Sequence, residues 1–248
     1  MMARDLARCL DPALIAHDCG IVPDDWQEKL LRERQRRSLL LCSRQSGKTT
    51  VTALGALDCA IYQPGSLTLI LSPSQRQSAE MHRTIMQFHA KLDGAPALNS
   101  ESTLKSEFAN GSRILALPGT EKTIRGYAAA DLIIVDEAAR VEDDLLTAVR
   151  PMLATSNGRL IALTTPAGKR GWFFDAWTGD EGDWHRTRVA ASDCPRISQE
   201  FLDEELRELG AQRFSEEYGL EFTDSDEAVF PTAIIDAAFT PSVVPLWQ

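Results

Sequence analysis

Residues 42–49 read CSRQSGKT, directly after the apolar run Ser38 to Leu41 and directly before a helical pattern. Strand, loop and helix in that order are what a phosphate-binding loop requires. Phosphate oxygens are held where backbone N–H groups and a helix N-terminus converge on them. Gly47 permits the close approach, Lys48 adds a point charge for β and γ phosphates, and the Thr49 hydroxyl is suited to Mg²⁺. Candidate nucleotide ligands are therefore Ser43, Arg44, Gln45, Ser46, Gly47, Lys48, Thr49 and Thr50. Cys42 stands where such loops usually carry glycine, and a chance Gly-Lys-Thr at a helix start is the alternative.

A metal ligand and a base must come from elsewhere. The run Leu132-Ile133-Ile134-Val135-Asp136-Glu137 places two carboxylates at the end of a buried strand, where open α/β sheets put their ligand sites. Asp136 is suited to hold Mg²⁺ and Glu137 to activate an attacking water. Each could instead cap the next helix.

Three further groups fit the same site. Gln27, in the segment PDDWQ, can hydrogen-bond an adenine edge, while Trp26 is as well explained by the core. Arg44, inside the loop, can stabilise charge on a γ phosphate or remain solvated. Thr164 and Thr165 precede Pro166 at the end of another apolar run. Hydroxyls there can report hydrolysis to a neighbouring loop, or form an ordinary turn.

These residues need elements to position them. Short, unalternated apolar runs at Ser38 to Cys42, Leu67 to Leu71, Leu132 to Val135 and Leu160 to Leu163 predict strands buried on both faces of a parallel sheet. Helical patterns at about Gly47 to Tyr62, Ser74 to Lys91 and Asp143 to Leu153 lie between them, so the chain is predicted to be α/β. Leu104 to Phe108 and Ser112 to Leu117 flank Asn110-Gly111 and predict an antiparallel hairpin. After Pro166 the expectation is a small second subdomain, with a strand near Trp184 to Ala191 and one or two acidic helices between Ser198 and Tyr218. The expected division is a core at 1–168, a subdomain at 169–225 and a linker at 226–248.

The chain has 248 residues and a formal net charge of −10. Eleven acids between Ser198 and Glu227 face only Arg207 and Arg213, so the remainder is nearly neutral and a local basic surface is possible. Arg32, Arg34, Arg36 and Arg37, or Lys169 and Arg170, are candidates to touch DNA phosphates, although a solvated helix face explains the first group equally well. No stretch approaches the ~18 uncharged apolar residues of a membrane span, and no signal-peptide core follows the N-terminus. A cytoplasmic protein is expected. The five cysteines form no CxxC pair, so neither a disulfide framework nor a cysteine zinc site is indicated, and the four histidines lack metal-ligand spacing.

Taken in order, WQ at Trp26 and Gln27, SRQSGKT, SPSQRQS at Ser72 to Ser78, TIRGYAAADLIIVDEAA at Thr123 to Ala139, TTPAGKRGWFFDAW at Thr164 to Trp177 and FSEEYGLEF at Phe214 to Phe222 resemble the ATPase domain of tailed-bacteriophage large terminase subunits. The resemblance implies a RecA-like P-loop NTPase with a mostly parallel central sheet flanked by helices, plus a small C-terminal lid subdomain. It also implies an extra strand between the phosphate-loop strand and the Asp136 strand. Its cofactors would be ATP and Mg²⁺, bound through Lys48, Thr49 and Asp136. Glu137 would be the base, Arg44 the in-loop arginine, and Thr164 and Thr165 the coupling motif. Arg125 is the preferred arginine for a neighbour's site, ahead of Arg140.

Double-stranded DNA, a portal protein and a small terminase subunit are the implied partners. A ring on the portal, in the host cytoplasm, is the implied assembly, with a monomer allowed in isolation. Such proteins normally continue into a nuclease domain; this chain stops at Gln248, so no nuclease activity is expected of it. A helicase fragment, suggested by DEAA at Asp136 to Ala139, and a nucleotide-gated DNA-binding scaffold are the competing readings.

Overall fold

The structure, a computed structural model, describes residues 2–120, 124, 126–127, 129–180, 182–224, 234 and 237–238. Three short helices, α1 (Met2–Leu10), α2 (Ala13–Asp18) and α3 (Asp25–Glu33), lead into β1 (Arg37–Cys42) and α4 (Lys48–Tyr62). The chain continues through β2 (Leu67–Ser72), α5 (Gln75–His89), β3 (Leu98–Glu101), β4 (Lys105–Phe108) and β5 (Arg113–Pro118). After β6 (Leu132–Asp136) come α6 (Asp144–Ser156), β7 (Arg159–Thr164), α7 (Gly171–Thr178), β8 (His185–Val189) and α8 (Gln199–Phe214).

The eight strands form one sheet in the order β3-β4-β5-β2-β6-β7-β1-β8. It is parallel from β5 to β8 and antiparallel only through β3, β4 and β5. The four apolar runs are buried on both sides, as their lack of alternation predicts. Leu40, Ile70, Ile134 and Leu163 pack on one face with α4 and α5, and Leu39, Leu69, Ile133 and Ala162 on the other with α6 and α7. Burying each such leucine or isoleucine contributes roughly 1.5–3 kcal/mol. The helix α4 is apolar nearly all round because it is buried nearly all round. The strand β7 separates β1 from β6, as the resemblance implies.

The hairpin is present, but its connection is longer than a two-residue turn. Gly111 takes φ +86°, and the Asn110 amide donates to Ala60 O (2.8 Å) and Ile61 O (3.1 Å), fastening the loop to the end of α4. The strand β3 has no counterpart in the sequence reading, because its pattern LNSE is polar and largely exposed.

One expectation is corrected. The strand near Trp184 is expected in an appended subdomain, yet β8 pairs in parallel with β1 and closes that edge of the main sheet. The physical reason is that β1, flanked by β7 on one side only, would otherwise expose a row of unpaired backbone groups next to the phosphate loop. The boundary expected at residue 168 therefore falls before a strand of the main sheet. A third, smaller cluster of Ala191, Leu202 and Tyr218, with Phe201 and Phe214, forms beyond β8. The helix α8 bends at Gly210, whose φ of 77° is non-helical. Most of the expected linker, 226–248, lies outside the described residues.

Candidate nucleotide site

The phosphate loop joins β1 to α4 at the C-terminal edge of the sheet. Ser43 N donates to Val189 O of β8 at 2.9 Å, Arg44 N to Glu217 O at 3.2 Å and Val51 N to Gly47 O at 3.1 Å. Between them, the backbone N–H groups of Gln45, Ser46, Gly47, Lys48, Thr49 and Thr50 donate to no acceptor among the described residues. Six consecutive free donors at the N-terminus of a 15-residue helix are an anion cradle. The loop is held in shape by Ser46 Oγ donating to Ser43 O (2.9 Å) and by left-handed backbone at Gln45 (φ 58°) and Gly47 (φ 88°). A Cβ at Gly47 would lie 2.5 Å from Gln27 Nε2, so no other residue fits there unless Gln27 moves.

Lys48 is buried and donates its Nζ proton to Cys42 O at 3.3 Å. Its charge lies close enough to Asp136 to favour that carboxylate. Burial, and next the charge of Glu137, outweigh it and push the Asp136 pKa up to about 6. Asp136 Oδ1 accepts from Glu137 N at 3.0 Å. Glu137 itself sits in left-handed backbone (φ 50°, ψ 45°), a conformation that costs a non-glycine residue on the order of 1 kcal/mol or more.

The raised pKa has a stability consequence. The native Asp136 carboxyl holds its proton more tightly than an unfolded one, so protonation stabilises the fold, and this contribution disappears as pH rises from about 4 through about 6. Asp136→Asn, which cannot ionise, should therefore raise the Tm of the nucleotide-free chain at pH 8 by roughly 5 °C, from a difference of about 2–3 kcal/mol. A Tm at or below the parent's in scanning calorimetry would contradict this account.

The coupling residues lie beside that pair. Thr164 and Thr165 are buried; Thr164 Oγ1 donates to Thr165 O (2.6 Å) and accepts from Ala139 N (3.4 Å). Arg140 donates to Glu137 Oε2 (2.7 Å) and to Thr165 Oγ1 (3.2 Å), and lies 3.9 Å from Glu217 Oε1. It is thus engaged within its own subunit, which counts against the role of trans arginine considered for it. Arg125 lies outside the described residues.

Two predicted ligands sit differently from expectation. Arg44 turns away from the cradle: its Nε and one terminal nitrogen donate to the two Glu217 carboxylate oxygens at 3.0 and 3.1 Å. Gln27 Oε1 caps its own helix by accepting from Asp24 N (2.9 Å), and its Nε2 faces Ser46 O (3.5 Å) and Gly47 O (3.4 Å). Gln27 still lines a cavity next to the loop, with Ile21, Val22, Gly47, Thr50 and Arg196. Val22 is 80% exposed there, an apolar surface fit for one face of a base. Trp26 packs against the core instead.

Glu217 and Arg196 escape the sequence reading. Arg196 donates to both Asp24 oxygens (2.6 and 2.7 Å) and to Ser46 O (3.1 Å), tying the segment after β8 to α3 and to the phosphate loop. The motif FSEEYGLEF held the only signal for Glu217, and nothing local marks Arg196.

The family described as terminase large subunit, T4likevirus-type, N-terminal, matches residues 39–236. The chain is 24% identical over 247 residues to the large terminase subunit of Thermus virus P23-45, covering 85% of this chain and 51% of that protein. It spans about half the length of the curated relatives it matches. Among solved structures, the Thermus phage P74-26 large terminase ATPase domain aligns with a TM-score of 0.69 at 20% identity, over 84% of this chain and 97% of that one. The large terminase of another thermophilic bacteriophage, solved in complex with ADP, aligns with a TM-score of 0.66 at 12% identity, over 81% and 54% of the two chains. At such identities these likenesses are of fold. The family match runs from β1 past the last described helix, and the chain belongs to the T4likevirus-type large terminase subunits, as their N-terminal domain.

Proposed function

We propose that this chain is an ATP-hydrolysing motor domain that drives double-stranded DNA into a procapsid. The observation that carries the chemistry is the cradle of six free N–H groups with Lys48 at its base and the Asp136 and Glu137 pair beside it. The cradle would take the phosphates, and the cavity at Gln27 and Val22 the base. Glu137 would receive the proton of the attacking water. Arg44 would exchange Glu217 for the γ phosphate, since both offer paired oxygens to a guanidinium.

The residues also fit Mg²⁺. Asp136 is a buried carboxylate whose charge nothing nearby fully compensates, and the Thr49 hydroxyl opens the same helix turn. When bound, the ion would neutralise charge on the phosphate oxygens.

The small cluster beyond β8 would be the lid, reaching the phosphates through Glu217 and Arg196. Arg125 remains the arginine proposed to serve a neighbouring subunit in a ring, with portal protein and a small terminase subunit as partners and the host cytoplasm as the setting. Among the described residues no helix is long and apolar enough to cross a membrane.

The test is phosphate release by the purified chain with Mg²⁺ and ATP, with and without linear double-stranded DNA. Turnover that rises with DNA is the expected result. Tight nucleotide binding without turnover in either condition would favour the nucleotide-gated scaffold.

A further inference from the structure

The strand-N-terminal edge of the sheet, opposite the nucleotide cradle, carries a pocket lined by Arg36, Arg37, Arg150, Leu146, Leu153 and Trp184, and by no carboxylate. The other arginines of this region are engaged: Arg32 pairs with Asp11 and Glu28, and Arg34 with Asp58. Arg36, Arg37 and Arg150 have no carboxylate within ion-pair distance among the described residues, and Arg37 only lies over the Trp184 ring at 5.9 Å. Three guanidinium groups gathered without a counter-charge repel one another and are stabilised by an anion that several of them can chelate.

We infer that this pocket binds backbone phosphates of double-stranded DNA. The elements that carry it favour DNA over a protein partner. The strand β1 begins at Arg37 and ends at the phosphate loop, a rigid path of about 17 Å. Beside it, β7 runs in parallel to Thr164, and α6 places Arg150 after the Asp136 and Glu137 strand end. A phosphate held here is joined through two packed strands and a helix to the groups that hold the nucleotide. The acidic segment lies at the other end of these strands, where Glu217 pairs with Arg44, so the basic pocket faces an approaching polyanion without it.

The identity of the polymer rests on the translocase reading; the site does not involve the ATP residues, so the two can fail separately. The experiment measures anisotropy of a fluorescein-labelled 30-base-pair duplex against the full chain between about 50 and 300 mM KCl. The variants are Arg36→Ala/Arg37→Ala/Arg150→Ala and the lysine counterpart at the same three positions. The alanine variant should bind a fluorescent ATP analogue like the parent, yet lose about 2–3 from the slope of log K against log salt, near 0.9 per phosphate contact. The lysine variant, which keeps the charges, should retain the parent slope and guards against a folding defect. A parental slope in the alanine variant would overturn the inference. So would a parent chain that hydrolyses ATP but shows no salt-dependent DNA binding, and so would loss of self-association by light scattering with the DNA slope intact, which would make the pocket a subunit contact.

Discussion

Glu137→Gln should bind ATP as tightly as the parent and hydrolyse it about 10²–10⁴-fold more slowly. The amide keeps the shape of the side chain and can still meet Arg140, which holds Glu137 Oε2 at 2.7 Å, but it cannot take a proton from water. Because the carboxylate is needed only in the transition state, kcat and kcat/KM should fall together while the dissociation constant of a fluorescent ATP analogue stays within a few-fold. The substitution also removes the second-largest cause of the raised Asp136 pKa, so metal and nucleotide binding should not suffer. Parental turnover by Glu137→Gln would show that the base lies elsewhere.

Lys48→Ala should weaken nucleotide binding roughly 100-fold or more, since hydrogen bonds to charged groups contribute about 1.5–3 kcal/mol each and this ammonium sits at the base of the cradle. The loss has a second source. Lys48 favours the Asp136 carboxylate, and without it the acid becomes harder to ionise for Mg²⁺. The defect should therefore be larger with Mg²⁺ than in EDTA, a comparison that titration of the fluorescent analogue makes directly. An affinity within three-fold of the parent in both conditions would remove Lys48 from the site.

Legibility in the sequence followed sequence distance. The loop between β1 and α4 is a local object, and its glycine, lysine and threonine mark it because backbone approach and charge must be supplied within a few residues. The parallel strands were readable because burial on both faces leaves no polar alternation. The Arg44 to Glu217 and Arg196 to Asp24 pairs were not, since each joins residues more than a hundred apart and neither partner carries a local mark of the other. The strand β8 was placed by its residues but not by its neighbour: HRTRV presents exposed arginines on one face, which reads as the surface of a separate unit. Arg186 and Arg188 instead donate to the carbonyls of Ala176 and Gly219, which hold the following segments against the sheet edge. The expected nucleotide contacts of Arg44 and Gln27 remain proposals, because each side chain has a protein partner in the structure.

The position of β1 between β7 and β8 also sets an order of events during synthesis. Both neighbours of the phosphate-loop strand come from residues 159–164 and 185–189, so β1 emerges from the ribosome long before either of its edges can be covered. At roughly 5–20 residues per second the apolar strand Arg37–Cys42 waits for several seconds at least with both rows of backbone groups open. Until then the nascent chain presents an adhesive edge to other polysomes and a binding segment to chaperones. Nucleotide cannot rescue it earlier, because the cradle is anchored through Ser43 to Val189, the last residue of the last strand.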